Sequence, residues 1–216
     1  MSIPRPTKTS RTSQNGVKYR TLCSDCNNRL LGSKYDPTLI KFANEIKMFL
    51  TSSFHLPSST LLQVKSGRLI RSVIGHLLAH GVGEHRTGTM INDLTDYFLD
   101  ETAVFPKNIK LYYWVYPYPE QIILKGFSAS LHYWNSFAVC MLLKFFPVSF
   151  FFVVDEPIGW TLPIDRLDLG TPQSIDEEVR IRLQFTSIPA QRWPEFPGET
   201  GMVMHTPGAT AAIPKK

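Results

Sequence analysis

The chain has 216 residues and a formal net charge of +5, with 43% hydrophobic and 19% charged residues. This composition is typical of a folded globular protein and excludes a disordered chain. The first residues contain no apolar stretch, which excludes a secretory signal peptide, and three cysteines do not build a disulfide framework. We therefore expect a cytoplasmic protein.

Basic side chains are concentrated near the N-terminus. Residues 1–34 hold seven basic residues and one acidic residue, a net charge of +6, which leaves −1 for the rest of the chain. Residues 1–18, rich in Pro, Ser and Thr, are predicted to form a mobile basic leader. Such a cluster attracts nucleic-acid phosphates through counterion release, although a solvated tail without a partner has the same composition. The candidate nucleic-acid-binding residues are Arg5, Lys8, Arg11, Lys18, Arg20 and Arg29.

Two cysteines two residues apart follow the leader, in the run LCSDCN at residues 22–27. A knuckle of this kind can present the thiolates of Cys23 and Cys26 to one zinc ion. The same spacing also occurs where two small residues lie in an ordinary turn, and this alternative stays open. Further along, Asp36 and Pro37 are typical of a helix N-cap and first helical position. Apolar residues at helical spacing then predict a helix that reaches Leu50.

The run CxxCN, followed by a basic residue and by GSKYDPTL at residues 32–39, resembles the second half of an HNH endonuclease motif. That motif is a ββα-metal, or treble-clef, finger, and the resemblance spans about residues 17–50. It implies that Cys23 and Cys26 are half of a structural zinc site. It also implies that Asn27 is a catalytic residue, whose side-chain oxygen binds a magnesium or manganese ion.

The first cysteine pair of that family, and the histidine that acts as its general base, are missing from the 22 residues before Cys23. A closed structural zinc site needs four ligands, so the zinc site of this chain is incomplete. We expect that a missing N-terminal segment or a protein partner supplies the other half.

Two further helices are predicted after the knuckle. Residues 51–60 are predicted to be a loop broken by Pro57. A helix is predicted over Gly67–His80, with Ser66 as its N-cap, and a shorter one over Met90–Leu99. A glycine-rich loop at residues 81–88 joins them.

Three histidines, His76, His80 and His85, lie close together in this helical region. His76 and His80 would share one helix face, which is a metal-ligand spacing. A zincin helix needs a glutamate directly after its first histidine, and Leu77 occupies that position. The favoured interpretation is a half-buried helix with histidines at its polar edge.

From residue 109 onward the sequence is rich in aromatic and β-branched residues, which favours strands. The Pro117–Pro119 turn predicts a hairpin between the first two strands, and the strict alternation of the last strand indicates a sheet with one solvated face. The run Phe137–Val154 approaches the length of a membrane span, but Lys144 and Pro147 favour two buried strands and no membrane. The predicted strands are Ile109–Tyr116, Gln121–Phe127, Phe137–Phe146, Val148–Val154, Gly159–Ile164 and Val179–Phe185.

Two other groups could carry function. An acidic group around Gly159 could bind magnesium, but solvated loop charges have the same pattern; it comprises Asp155, Glu156, Asp165 and Asp168. The aromatic residues Tyr112–Trp114 could stack on bases, but aromatic residues in a strand more often form a core.

The sequence therefore predicts an α+β protein with a small zinc-knuckle or treble-clef remnant, about three helices and then an antiparallel β-sheet. Its regions are a leader (1–18), the knuckle and helix (19–50), a helical and then β-rich body (51–188) and an irregular Pro/Gly-rich tail (189–216). The predicted function is that of an HNH-endonuclease-like, metal-dependent protein directed to DNA. The alternative is a non-enzymatic binding module whose basic leader contacts nucleic acid.

Overall fold

The computed structural model describes residues 22–52, 55–80, 89–131, 136–167, 174–197 and 201–212. Its helical elements are a π-helical segment (Cys26–Tyr35), α1 (Asp36–Thr51), α2 (Ser66–Ala79) and α3 (Thr89–Leu99). Its strands are β1 (Ser59–Lys65), β2 (Ile109–Val115), β3 (Ile122–Leu131), β4 (Ala138–Phe145), β5 (Val148–Val154), β6 (Asp165–Arg166), β7 (Glu178–Gln184) and β8 (Gly201–Ala212). Three α-helices and antiparallel strands in this part of the chain confirm the predicted α+β class, while the zinc knuckle stays a prediction.

The larger sheet of the described residues has six strands in the order β6-β2-β5-β4-β3-β8, and every pair is antiparallel. β4 and β5 form a tight hairpin in its centre, with Phe145 opposite Val148. All seven residues of β5 are buried, because both faces of the sheet are covered at this strand. β1 and β7 form a separate antiparallel pair, with Val64 opposite Val179.

The predicted hairpin between the first two strands is wrong. β2 pairs with β5 and β6, and β3 pairs with β4 and β8. The β4–β5 hairpin lies between them because its side chains are apolar on both faces, and only the middle of a covered sheet buries both faces at once. The two strands of this hairpin lie within the run Phe137–Val154, as predicted. Among the described residues, no helix is long and apolar enough to cross a membrane.

The two faces of the sheet belong to two different cores. One face packs against the π-helical segment and the three α-helices; Phe150 and Phe152 of β5 lie on it with Phe42 of α1. The opposite face holds Phe151 and Val153 of the same strand, packed with aromatic residues of other segments. This alternation along β5 follows from the period of two in a strand, which sends successive side chains to opposite faces.

Helix α1 does not begin at an N-cap, contrary to the prediction for Asp36. Asp36 has helical backbone angles (φ −57°, ψ −34°), and its N–H donates to the carbonyl of Leu31, five residues earlier. The helical path is therefore continuous from the knuckle, with wide turns before Asp36 and α-helical turns after it. The change in hydrogen bonding falls at Pro37, which has no N–H to donate to a preceding carbonyl.

Three stretches of strand differ from the prediction. β1 begins within a predicted loop. It is a strand because its backbone pairs with β7, which lies more than one hundred residues later in the chain and which local patterns do not reveal. The predicted strand over Gly159–Ile164 is absent, and only the two-residue β6 follows it; Gly159 has a φ of 89°, which is incompatible with a strand. β8 pairs with β3 within the region where Pro and Gly predict irregular backbone.

Gly75 of α2 packs closely against side chains of the π-helical segment and of α3. A Cβ at this position would lie 2.5 Å from Cδ1 of Leu31 and 2.8 Å from Cε2 of Phe98. We expect Gly75→Ala to lower the free energy of unfolding by about 1–3 kcal/mol, because both neighbours are buried and must shift. Chemical denaturation measures this. Gly32→Ala, at an exposed helical position, is the control and should change stability by at most about 1 kcal/mol; equal effects of the two changes would contradict the close approach.

Candidate functional site

The two knuckle cysteines converge at the exposed start of the helical path. Cys23 directly precedes the first helical residue, and Cys26 is the first residue of the π-helical segment. Their Sγ atoms are 2.6 Å apart, and the backbone N–H of Cys26 donates to Sγ of Cys23 at 3.1 Å. The N–H of Asn27 donates to the carbonyl oxygen of Cys23 at 2.9 Å, which closes the turn. The turn holds both sulfur atoms on the same side of the chain.

The contact between the two sulfur atoms shifts the pKa values of the two thiols in opposite directions. The hydrogen bond with the Cys26 side chain, followed by the bond from the Cys26 backbone N–H, lowers the pKa of the Cys23 thiol. The same side-chain bond, with burial and the charge of Cys23, raises the pKa of Cys26. The two opposite directions have one main cause, the hydrogen bond between the two Sγ atoms. A thiolate is the form of cysteine that binds metals and attacks electrophiles.

Asn27 lies beside the cysteines with an exposed side chain. Its amide nitrogen donates to Oδ1 of Asn28 at 3.1 Å, so the carbonyl oxygen is the group that can bind a cation. This orientation of the amide is assigned from the hydrogen bond. The role that the HNH resemblance implies for Asn27 stays a prediction, and one neutral oxygen is by itself a weak ligand for magnesium or manganese.

Arg29 is the one predicted nucleic-acid-binding residue in the described part of the chain. Its guanidinium forms a bidentate ion pair with Asp25, with both N–O distances at 2.7 Å, and both side chains are more than half exposed. This bond lowers the pKa of Asp25 and offsets much of the positive charge that a phosphate would meet. The other five residues lie outside the described residues: Arg5, Lys8, Arg11, Lys18 and Arg20.

The cysteine pair supplies only part of the ligand set of a structural zinc ion. Within the described ranges, no group of three His, Cys, Asp or Glu side chains is placed to hold a metal ion. The 22 residues before Cys23 contain none of these four residue types. Two thiolates are half of the four ligands that a structural zinc site requires. The residues therefore do not fit a closed zinc site by themselves.

A second polar group, which we call the Asp36 cluster, joins α1 and α2. Oδ1 of Asp36 accepts a hydrogen bond from Oγ of Ser72 at 2.6 Å and lies 3.2 Å from Nε2 of His76. Sequence reasoning missed this cluster because its members are 36 and 40 residues apart in the chain. Asp36 looked like a helix cap, and His76 like one of two histidines at a helix edge. His80, the other member of that pair, is buried.

The Asp36 cluster opens on a cleft of about 460 Å³. Its walls are apolar side chains of α1, β3 and β4, and amide side chains line it as well; the lining includes Leu39, Ile40, Ala43, Ile123, Leu143, Phe145, Asn44 and Gln121. This size and lining are common for small-molecule sites. Asp36 follows Asn27 by nine positions along the helical path, which corresponds to about 10–14 Å. The Asp36 cluster and the knuckle are therefore separate sites.

The remaining predicted groups do not form sites in the described residues. The side chain of Glu156 accepts a hydrogen bond from Tyr112, and Asp165 accepts one from Gln184 at 3.0 Å. These carboxylates are therefore engaged separately, and Asp168 and His85 lie outside the described residues. Tyr112 and Trp114 are buried in the sheet, as expected for core residues.

The fold and its sites define an α+β protein with an exposed cysteine knuckle and a separate polar cleft. Comparisons of this chain with protein families, with curated proteins and with solved structures found no match.

Proposed function

We propose that this chain is an HNH-endonuclease-like, metal-dependent protein directed to DNA that carries the second half of the motif. The observation that supports this proposal is the arrangement of Cys23, Cys26 and Asn27. These three residues lie on one exposed turn, with a backbone N–H bonded to the sulfur of Cys23 and an exposed amide side chain at Asn27, directly after Cys26 in the chain.

Each part of the turn has a distinct role in the proposal. Cys23 and Cys26 are two ligands of a zinc ion that holds the finger together once the remaining ligands are supplied. Asn27 provides an oxygen to the catalytic magnesium or manganese ion. Because an amide is not a base at neutral pH, the group that deprotonates water comes from a separate segment or from a protein partner. The basic leader holds the DNA by its phosphates.

The first test of this proposal is the salt dependence of DNA binding. If about four of the six predicted basic side chains contact phosphates, the slope of log K against log salt is roughly −3.6. Deletion of residues 1–16 removes three basic side chains and should bring the slope toward about −1. Fluorescence anisotropy with a labelled duplex at several salt concentrations measures both slopes.

The matched control for this deletion neutralises cations elsewhere on the surface. Arg180 and Arg182 lie on the exposed face of β7, and the double change Arg180→Gln/Arg182→Gln should leave the slope unchanged. A slope that survives the deletion but falls in this double variant would place the DNA contacts on the body and contradict the proposed role of the leader.

A non-enzymatic binding module is the second candidate, and the cleft at the Asp36 cluster favours it. The cleft joins apolar walls to a carboxylate–imidazole pair, which suits recognition of a small ligand or a side chain. In this case Asn27 has no role in catalysis, and DNA binding by the leader is unspecific. The two functions are distinguished by whether phosphodiester cleavage can be restored to the chain.

A further inference from the structure

The two knuckle thiols have a second possible chemistry besides metal binding, because no group of three metal ligands includes them among the described residues. The Sγ atoms of Cys23 and Cys26 are 2.6 Å apart, so a small shift of the side chains brings them to the S–S bond length of about 2.05 Å. Both cysteines are free thiols.

Access to the two sulfur atoms also differs from that of a structural cysteine. Cys23 is exposed and Cys26 is partly exposed, whereas Cys140 is buried within the sheet. A reagent in solution can therefore approach Cys23 first and then Cys26, but not Cys140. Exposure beside a second, resolving cysteine is the arrangement found at redox-active thiols.

We propose that Cys23 and Cys26 are a redox-active dithiol that exchanges with small-molecule disulfides to form a reversible intramolecular disulfide. This activity goes beyond the proposed nuclease-like function and does not depend on DNA. The substrate class is a low-molecular-weight disulfide, R–S–S–R, which is the oxidant of the reaction.

The reaction proceeds by two exchange steps. The thiolate of Cys23 attacks one sulfur of R–S–S–R, the S–S bond breaks, and one thiolate RS⁻ leaves. Cys26 then loses its proton to water, and its thiolate attacks the Cys23 sulfur of the mixed disulfide and expels the second RS⁻. The two cysteines lose two electrons and two protons, and the oxidant gains them as two molecules of RSH. Cys26 is the resolving residue because the turn holds its sulfur against that of Cys23.

The test uses the full chain and oxidised glutathione. After incubation and removal of the reagent, intact mass and thiol titration under denaturing conditions are measured. The wild type should lose two of its three thiols and become lighter by two hydrogen atoms, and dithiothreitol should restore it. Cys23→Ser and Cys26→Ser should each stop at a mixed disulfide with glutathione, while Cys140→Ser should behave as the wild type does.

Two results would overturn the proposal. One is a wild type that carries glutathione on both cysteines with no bond between them, and the other is a pair that does not react. A parallel sample is incubated with zinc and then dialysed against a weak chelator. This sample distinguishes the dithiol proposal from the proposed zinc role of Cys23 and Cys26. If the chain keeps zinc and its thiols are then protected, other ligands close the site, and the dithiol proposal fails while the proposed metal role stands.

Discussion

Replacement of Lys144 by methionine is expected to lower the free energy of unfolding by about 3–5 kcal/mol, because it leaves a buried carboxylate without a counter-charge. The side chains of Lys144 and Glu195 are 0% and 3% exposed, and Nζ lies 2.7 Å from Oε1 of Glu195. Nζ also donates to the carbonyl oxygens of Trp193, at 3.1 Å, and of Gln191. The ring of Tyr116, with its centroid 4.8 Å from Nζ, covers the ammonium group.

The opposing forces on this pair explain the size of the effect. Burial lowers the pKa of Lys144, and the charge of Glu195 opposes this shift. Oε2 of Glu195 has no hydrogen-bond partner within the described residues, so the carboxylate depends on Lys144 for its compensation. Removal of one member of such a pair costs more than removal of both.

Urea denaturation of three variants measures this coupling. The double change Lys144→Met/Glu195→Met should recover most of the loss, because neither charge then remains in the core. Lys41 is the control, since its ion pair with Glu45 is long, at 3.8 Å, and Lys41 is 72% exposed. Lys41→Met should change stability by less than about 0.5 kcal/mol. If Lys144→Met lowers the free energy of unfolding by no more than this control does, the buried ion pair does not stabilise the protein.

Phosphodiester cleavage is expected to be absent from this chain alone and to appear when the missing half of the motif is supplied. Hydrolysis requires a base to deprotonate water and a metal ion to stabilise the developing charge. The carbonyl oxygen of Asn27 can serve only the second need. A suitable second segment carries a cysteine pair followed by an Asp-His or Glu-His pair. Because a positioned general base contributes about 10²–10⁴-fold, we expect at least about a 100-fold rise in magnesium- or manganese-dependent plasmid nicking.

Two variants make this nicking assay specific. Asn27→Ala should abolish the restored activity, because it removes the proposed metal ligand beside the cysteines. His76→Ala should leave the activity unchanged, because His76 is held by Asp36 at the far end of the π-helical segment. Nicking by the unsupplemented chain that Asn27→Ala eliminates would show that the base lies within this chain. No nicking in any mixture would favour the binding-module alternative.

Local sequence patterns were sufficient for most helices and strands. The apolar spacing in α2 and the alternation of Val179, Ile181 and Leu183 in β7 encode which face is buried, because the periods of 3.6 and 2 are properties of the local backbone. α2 and α3 therefore agree with the prediction to within one residue at each end, and β5 agrees fully. The cysteine spacing and the distribution of charge along the chain are likewise visible in the sequence alone.

The partners of these elements were decided only by tertiary structure. A strand with apolar side chains on both of its faces is stable only where both faces of the sheet are covered. The β4–β5 hairpin therefore lies between β2 and β3, although β2 and β3 are joined by a turn in the sequence. Lys144 and Glu195 are 51 residues apart, and Asp36 and His76 are 40 residues apart. A residue's type shows that it needs a counter-charge or a hydrogen bond, but its partner is fixed by the packing of distant segments. For the same reason, the spacing of the two knuckle thiols was visible in the sequence, but their close contact was visible only in the folded chain. The folded chain also shows that no group of three metal ligands forms among the described residues.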